Sequence, residues 1–266
     1  MSEQENHSLD NKNKSTVIVN RYNEDISWLN KIGKDIDIHI YNKGTSLDNY
    51  KLPSRSIVQN VDNVGRETEG YLRFMIEHYD DIKKDNYYFF LQGDPFDHSA
   101  KIIDKINNVH VYGKSLFYHL GDLICIDCDR VSRDRVSYYK KAHSTFLLQH
   151  ASQANDVSIH NKDDMLFCNV ILTKDIKLKL IYEHFVQQSK DRIHLYESLF
   201  HNAPSVFNWS EGALFVVKGS AILSHPQDYF VALKERLLKV QTEDLGYLYE
   251  RLWSMILFHG SFVSSV

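Results

Sequence analysis

The sequence has little cysteine and no long hydrophobic run. Three cysteines among 266 residues are too few for a disulfide framework, and their odd number fits a reducing compartment. The longest apolar runs, such as Tyr87–Leu91 and Ala213–Val217, fall far short of the roughly 20 residues that span a bilayer. Residues 1–15 are polar and lack the apolar core of a secretory signal. We therefore expect a cytoplasmic protein with a loose arm over residues 1–15 and no integral membrane segment.

Positive charge is scarcer than negative charge. The 31 lysines and arginines are outnumbered by 35 aspartates and glutamates, so the formal net charge is −4 at pH 7. Such a chain has no global positive field that would attract DNA or RNA, and we expect no nucleic-acid partner. The hydrophobic content of 43% is that of a globular protein and excludes disorder as the main state.

Several common catalytic motifs are absent. The chain contains no Gly-x-Ser-x-Gly, His-Glu-x-x-His, Walker A or Gly-x-Gly-x-x-Gly pattern, which excludes the usual serine hydrolases, zincins, P-loop enzymes and dinucleotide-binding enzymes. Cys125 and Cys128 have CxxC spacing, but no second pair completes a zinc site, and we interpret them as buried thiols in a strand. Asp127 and Asp129 form an Asp-x-Asp pair, which is a secondary metal candidate.

The sequence does contain an alternation of strands and helices. Strands are predicted at Thr16–Val19, Ile36–Ile40 and Tyr87–Leu91, with a weaker one at Ile57, and the apolar periodicity of Glu67–Tyr79 predicts an amphipathic helix. This order is typical of an α/β domain whose mostly parallel sheet is covered by helices on both faces.

The second half of the chain is more helical. Its predicted elements are a buried strand at Ala213–Val217 and helices at Ile176–Gln188, Arg192–Phe200, Tyr229–Val240 and Glu243–His259. We expect a single domain over residues 16–266 with a helical C-terminal extension.

Polar segments follow three of the predicted strands, namely Arg21–Asp25, Asn63–Glu67 and Gln92–His98. Ligands of such sheets bind beyond the carboxyl ends of the strands, so we expect these segments to meet at one edge and to form the functional site. Gly65 and Arg66 begin a helix, where free N–H groups and the positive end of the helix dipole favour a phosphate. The alternative is an ordinary helix start with a solvated arginine.

The third polar segment offers two carboxylates and an imidazole, from Asp94, Asp97 and His98. Mg²⁺ and Mn²⁺ bind carboxylates together with substrate phosphate oxygens, so a metal–diphosphate site is chemically reasonable. Structural roles compete with this interpretation. Asp97 is placed to N-cap a following helix with His98 in its first turn, and Asp94 precedes Pro95 as a turn residue would.

Two glutamates are candidate general bases. On the predicted last helix Glu250 shares a flank with Trp253 and Leu257, and apolar surroundings can raise a carboxyl pKa toward that of a working base. The alternative is a surface glutamate beside Arg251. Glu211, just before the predicted buried strand, is a rival base on similar grounds.

The order of these parts resembles the nucleotide-sugar half of GT-A glycosyltransferases, especially those of family 2. The first strand leads to Asn23-Glu24, and Asn63-Val64-Gly65-Arg66 loosely matches the helix start of those enzymes. The strand Tyr87–Leu91 runs into Gln92-Gly93-Asp94, where they carry an acidic metal motif. Later in the chain, Gly212–Val217 is similar to their acceptor-side strand, and Glu250-Arg251 to their acidic base segment.

Two strings resemble more closely those of an uncharacterised domain family whose fold is thought to be related to GT-A. They are Asn63–Glu67 and Phe90–His98. The resemblance implies a GT-A-like, Rossmann-like fold, with residues 16–130 as the nucleotide-sugar-binding half and residues 131–266 as the acceptor-side half.

The resemblance also implies an activity. It is that of a glycosyltransferase that moves a sugar from a nucleotide-diphosphate sugar to a glycan or other hydroxyl acceptor, assisted by Mn²⁺ or Mg²⁺. Glu250 or Glu211 would be the catalytic base, and Asp94, with Asp97 or His98, would hold the metal. The residues implied to line the nucleotide sugar are Arg21, Asn23, Glu24, Asp25, Asn63, Gly65, Arg66 and Gln92.

One departure from the GT-A pattern bears on this activity. Gln92-Gly93-Asp94 stands where an Asp-x-Asp motif is expected, so a single carboxylate replaces the pair that shares the metal. Either Asp97 or His98 completes the site, or the metal is weakly held or absent. Two alternatives stay open, a nucleotide- or carbohydrate-binding protein that has lost catalysis and a metal-dependent phosphohydrolase built on Asp94, Asp97 and His98.

Overall fold

A computed structural model describes residues 14–112, 115–127, 138–141 and 206–240, together with residues 249–250, 252–254 and 256–257. The helices predicted at Ile176–Gln188 and Arg192–Phe200 lie outside these residues, as do Cys128 and Asp129.

The described residues form nine strands and four α-helices. The strands are β1 (Ser15–Arg21), β2 (Asp37–Asn42), β3 (Ser56–Asn60), β4 (Tyr87–Gln92), β5 (Phe117–His119), β6 (Leu123–Asp127), β7 (Tyr138–Lys141), β8 (Val206–Ser210) and β9 (Phe215–Lys218). The α-helices are α1 (Arg66–Glu77), α2 (Ile102–Asn107), α3 (Gly219–Ile222) and α4 (Gln227–Val240). Short 3₁₀ helices lie at Ser27–Lys31, Tyr79–Asp81, Val109–Tyr112 and Glu211–Ala213. The strands and helix predicted before residue 100 are confirmed, as is the helix that follows Pro226.

The main sheet is mixed, so the prediction of a mostly parallel sheet is only partly true. Its six strands have the order β3-β2-β1-β4-β9-β5. Strands β1 to β4 are parallel, as predicted, whereas β9 is antiparallel to both β4 and β5. The register pairs Phe215, the first residue of β9, with Phe90 near the end of β4. The chain therefore enters β9 at the carboxyl edge of β4 and can only run back along it, which is why the prediction fails for this strand.

A second sheet of three strands has the order β7-β6-β8, and both of its pairings are antiparallel. Cys125 lies in β6, so its predicted placement in a strand is confirmed. No pattern in the sequence predicted this sheet.

Both faces of the main sheet are covered, because successive residues of each strand point to opposite sides. On one face Ile18 and Phe90 pack with Tyr71 of α1 and with Trp253 from the C-terminal helical residues. On the other face Val17, Val19 and Phe89 pack with the 3₁₀ helix at Ser27–Lys31 and with α2. The expectation of helices on both faces is confirmed. In the part of the chain that the structure describes, every helix is too short or too polar to cross a bilayer.

Two predicted details near the sheet edge are wrong. Asp97 does not cap α2, because Lys101 occupies the N-cap position and no side chain bonds there. The amides of His98 and Ser99 instead donate to the Pro95 carbonyl, which closes a separate turn and leaves His98 outside the helix. The strand predicted from Ala213 starts two residues later, at Phe215, since the preceding residues form a 3₁₀ turn.

Candidate functional site

The loops after β1 and β4 meet at the carboxyl edge of the sheet, as expected. Asn20 pairs with Gln92 in the register of the two strands. Beyond that pair the backbone at Gly93 lies against Glu24, and a Cβ atom at Gly93 would be 2.5 Å from Glu24 Oε2. A methyl group at position 93 would displace the Glu24 carboxylate, so the glycine lets the two loops lie in contact.

The buried Arg21 side chain links the loops after β1 and β2 by hydrogen bonds. Its Nε donates to the Glu24 carbonyl at 2.9 Å and its Nη1 donates to Asn42 Oδ1 at 2.7 Å. Nη1 also donates to the Thr45 carbonyl at 2.8 Å, and the guanidinium lies over the Tyr50 ring, 5.2 Å from its centroid. These contacts shape the loop rather than present the guanidinium to solvent.

The other polar residues of the β1 loop also make local hydrogen bonds. Asn23 Oδ1 accepts from the Thr45 amide at 3.0 Å, and Glu24 Oε2 accepts from an amide of its own loop at 2.7 Å. The Asp25 carboxylate accepts from the amide and the hydroxyl of Ser27, and these two bonds lower the pKa of Asp25. Asn23 and Asp25 remain exposed and Glu24 is half-buried, so the loop presents polar atoms to solvent.

The β4 loop is held in one conformation by side chains on both sides. The Trp28 indole Nε1 donates to the Gly93 carbonyl at 2.9 Å, and Gln92 Nε2 donates to the Asp94 carbonyl at 2.9 Å. Asp94 Oδ1 accepts from the Phe96 amide at 3.1 Å, which is the turn role considered for this residue. The Asp94 side chain is nevertheless exposed to solvent at the carboxyl edge of the sheet.

The three candidate metal ligands do not form a protein cage. Asp97 is exposed, and His98 turns toward Glu211, with Nδ1 3.6 Å from Glu211 Oε2. Among the described residues, no group of three or more histidine, cysteine, aspartate or glutamate side chains is arranged to hold a metal. The exposed Asp94 carboxylate fits a Mg²⁺-type ion that takes one protein carboxylate and completes its shell with phosphate oxygens and water.

The two candidate bases, Glu211 and Glu250, meet at the Glu211–Ala213 turn. Glu211 is part of the turn, and Glu250 contacts it at Gly212, from which it is separated by 38 residues in the sequence. The Gly212 amide donates to Glu250 Oε1 at 2.9 Å. Glu250 is half-buried, and Trp253 and Leu257 on the same helical flank are buried, as the spacing predicted. Glu250 is therefore bonded to the residue next to Glu211 rather than placed on an outer surface.

Two residues of the Glu211–Ala213 turn have left-handed backbone conformations. Gly212 has φ 72° and Ala213 has φ 52°, and a non-glycine residue adopts such a φ only when its surroundings enforce it. A Cβ atom at Gly212 would lie 2.7 Å from His98 Cδ2 and 3.0 Å from Gln92 Nε2. The turn thus packs directly on the β4 loop. We call the resulting group the edge cluster, which consists of Glu24, Gln92, His98, Glu211, Gly212 and Glu250.

The turn before α1 has a second left-handed pair. Gly65 has φ 62° and Arg66 has φ 51°. The Arg66 side chain is 44% exposed and lies 3.6 Å from Glu67 Oε2, and Asn63 is exposed as well. Lys43, which sequence analysis did not select, holds this turn, because Nζ donates to the carbonyls of Val64 and Arg66. Lys43 directly follows β2, so the carboxyl-end rule that selected the other loops could have found it.

Lys43 belongs to a buried network of charges. Its side chain is 4% exposed and Nζ lies 3.4 Å from Glu69 Oε2. Glu69 also contacts Arg73 at 2.6 Å and Lys234 of α4 at 3.0 Å. Burial alone would raise the pKa of Glu69, but the Arg73 hydrogen bond and the charges of Lys43 and Lys234 outweigh it and lower that pKa. The network fixes the start of α1 against both β2 and α4.

Tyr71 connects the start of α1 with the edge cluster. Its side chain is fully buried, and burial raises the pKa of its hydroxyl, with the negative charges of Glu67 and Glu250 adding to the effect. Glu67 in the first turn of α1 and Glu250 therefore act on the same hydroxyl. The structure brings these two segments to neighbouring positions.

Comparison with known proteins reaches only part of the chain. No curated protein matches it significantly, and no solved structure does. Residues 16–115, which include the loops after β1 and β4 and the start of α1 but neither Glu211 nor Glu250, match a family described as "Protein of unknown function (DUF3431)".

Proposed function

We propose that the protein is a glycosyltransferase with a GT-A-like fold that uses a nucleotide-diphosphate sugar. One observation carries the proposal. Gln92-Gly93-Asp94 at the end of a parallel strand packs on Glu24 of the β1 loop, and Glu211 and Glu250 reach the same edge from distant parts of the chain. Ligands of such sheets bind beyond the carboxyl ends of the strands, and sugar transfer needs one carboxylate to hold a metal ion and another to accept a proton.

The donor would lie along the loops after β1 and β4. Asn23, Glu24 and Asp25 would contact its nucleoside end, while Arg21 keeps their loop in shape. The Gly65-Arg66 turn, with the exposed Arg66 guanidinium, would lie near the phosphates, together with Asn63. Gln92, which packs on the Gly212 turn, would face the sugar.

Asp94 would hold a Mg²⁺ or Mn²⁺ ion that enters with the diphosphate of the donor. Such an ion stabilises the negative charge of the leaving diphosphate. The exposed carboxylate of Asp97 lies in the same loop and is the nearest further ligand in sequence. Since Asp94 Oδ1 also accepts the Phe96 amide, the loop orients this carboxylate before any ligand binds.

Transfer to a hydroxyl acceptor requires removal of one proton. A carboxylate of the edge cluster, Glu211 or Glu250, would take the acceptor's O–H proton while the acceptor oxygen forms a bond to the anomeric carbon of the sugar. The bond from that carbon to the diphosphate oxygen breaks, and its electron pair leaves with the nucleoside diphosphate.

A second candidate function is binding of a nucleotide sugar without turnover. The observation that favours it is Gln92, whose amide replaces a metal-binding carboxylate and bonds to the Asp94 carbonyl. This candidate predicts binding that is insensitive to Glu250→Gln and to Glu211→Gln.

Calorimetric titration with UDP, GDP and dTDP sugars, each with and without Mn²⁺, tests the proposal, and a CMP sugar, which has a single phosphate, is the contrast that should not bind. We expect one nucleotide class to bind, and to bind more tightly with the ion. If no nucleotide sugar binds under either condition, the proposal is wrong.

A further inference from the structure

We infer that Glu250 is a positioning residue that holds the Gly212 turn, and that Glu211 is the group that accepts the acceptor's proton. This inference rests on the proposed function and divides the roles of two glutamates that sequence analysis treated as rivals. It follows from how each carboxylate is bonded within the edge cluster.

Glu250 is bonded to the backbone of the turn. Its Oε1 accepts the Gly212 amide at 2.9 Å, and the buried Trp253 and Leu257 anchor the helical segment that carries it. A hydrogen bond between an amide and a carboxylate is charge-assisted and stronger than a neutral one. Glu250 therefore clamps Gly212 from the side of the C-terminal helical residues.

The turn needs such a clamp. Gly212 and Ala213 both have positive φ, and a strained backbone of this kind persists only when several contacts fix it. The Glu250 carboxylate supplies one contact, and the packing of Gly212 on His98 and Gln92 supplies another.

The backbone on the other side of the turn is tied to the β4 loop. The Asp122 amide donates to the His98 carbonyl at 2.8 Å, and the Glu211 amide donates to the Asp122 carbonyl at 3.2 Å. Ser210 Oγ accepts from the Gly121 amide at 3.0 Å and donates to the Leu214 carbonyl at 2.8 Å. The backbone of Glu211 is thus fixed relative to His98 before any substrate binds.

The Glu211 side chain has the access that a proton acceptor requires. It is 25% exposed, and Oε2 lies 3.6 Å from Nδ1 of His98, which is 32% exposed. The proton of the acceptor hydroxyl passes to the Glu211 carboxylate, the acceptor oxygen bonds to the anomeric carbon, and the diphosphate leaves with the electron pair of the broken bond. Beside it, the His98 ring limits the range of positions that this carboxylate can take.

Substitutions at the two glutamates separate the roles in an assay of nucleoside diphosphate release with water as the acceptor hydroxyl. Glutamine at position 250 keeps a carbonyl oxygen that can accept a hydrogen bond from the Gly212 amide, so Glu250→Gln should lower kcat by no more than about fivefold. Alanine has no such oxygen, so Glu250→Ala should lower kcat by at least about tenfold and leave the donor KM unchanged. Glu211→Gln should lower kcat by about 10²–10⁴-fold, the contribution of a general base. Glu235→Gln, at an exposed position on α4, is the matched control.

The position of the Gly212 amide signal in ¹⁵N–¹H NMR spectra gives a readout that does not depend on activity. It should shift most in Glu250→Ala, less in Glu250→Gln, which keeps a neutral acceptor, and stay near its original position in Glu235→Gln. A Gly212 signal that is the same in Glu250→Ala and the unsubstituted protein would overturn the positioning role.

Activity decides the other half of the inference. If Glu250→Gln loses as much kcat as Glu211→Gln is expected to lose, or if Glu211→Gln keeps its kcat, the division of roles is wrong. If the unsubstituted protein transfers no sugar from any donor, both the proposed function and the proton-accepting role of Glu211 are wrong. The NMR signal of the Gly212 amide still tests the positioning role of Glu250 in that case.

Discussion

Gly93 and Glu24 are in close contact, since a Cβ atom at position 93 would lie 2.5 Å from Glu24 Oε2 and 3.1 Å from Glu24 Cβ. This contact joins the loop after β1 to the loop after β4. These two loops form the part of the proposed donor site nearest the nucleoside and the sugar, so their fit should control donor affinity.

Gly93→Ala should weaken donor binding at least tenfold, because the added methyl group must push Glu24 or the β4 loop aside. We expect a loss of about 1–3 kcal/mol in the free energy of unfolding, as for other overpacked sites. Calorimetry measures the first effect and urea unfolding the second. Gly33→Ala is a control, since a Cβ atom there would meet only the tip of the Asp35 side chain at 3.0 Å, and the next atom lies at 3.5 Å. Equal donor affinity in Gly93→Ala and Gly33→Ala would contradict the role of this contact.

Lys43 links the loop after β2 to the start of α1, and its removal should affect stability and binding together. Lys43→Met loses the hydrogen bonds to the Val64 and Arg66 carbonyls and one of the cations around Glu69. Breaking a buried ion pair in this way costs about 3–5 kcal/mol, but Arg73 and Lys234 still face Glu69, so we expect about 2–3 kcal/mol. Urea unfolding measures this loss.

Donor binding by Lys43→Met provides the second readout. If the Gly65-Arg66 turn binds the phosphates, donor affinity should fall while the folded fraction remains high. Exposed Lys51→Met is the matched control. Unchanged donor affinity in Lys43→Met would place the phosphates elsewhere.

The stability of the fold should decrease in acid because of His39. Burial and the neighbouring His78 lower the pKa of His39 to about 4, against the opposing charge of Asp37. Between pH 6.5 and pH 4 the unfolded chain therefore binds a proton at His39 that the folded chain does not. The free energy of unfolding is therefore highest above pH 6.5. It decreases as the pH falls toward 4, by up to about 3 kcal/mol.

His39→Phe tests this pH dependence, since phenylalanine can keep the edge contact with Phe74. Urea unfolding at pH 7 and pH 4.5 should show a smaller loss of stability on acidification in this variant than in the unsubstituted protein. His110→Gln, at an exposed position, should lose as much as the unsubstituted protein. Equal losses in all three proteins would exclude His39 as the cause.

Local patterns were sufficient for much of the first hundred residues. A short run of β-branched residues placed β1, and alternating isoleucines placed β2. Apolar residues at helical spacing placed α1 within one residue of its start. The carboxyl-end rule then brought the segments that contain Glu24 and Asp94 to one edge, because it depends only on strand direction.

Long-range contacts set the features that sequence analysis missed. The direction of β9 depends on the edge at which the chain enters the sheet, and no local pattern carries that information. The positive φ of Ala213 is imposed by contacts of the turn with Glu250 and with the β4 loop. The burial of Lys43 likewise depends on Glu69, which only the folded chain brings beside it.

The most direct test of the proposed activity is release of nucleoside diphosphate from the UDP, GDP and dTDP sugars, with water as the acceptor hydroxyl, measured for the unsubstituted protein and for Asp94→Asn. Asparagine at position 94 can still accept a hydrogen bond from the Phe96 amide, so the loop conformation and the melting temperature should change little. Asp97→Asn on the same loop shows whether the second carboxylate also contributes to the activity. We predict release from one donor class that Asp94→Asn abolishes. Undiminished release in Asp94→Asn, or no release from any donor by the unsubstituted protein, would contradict the account.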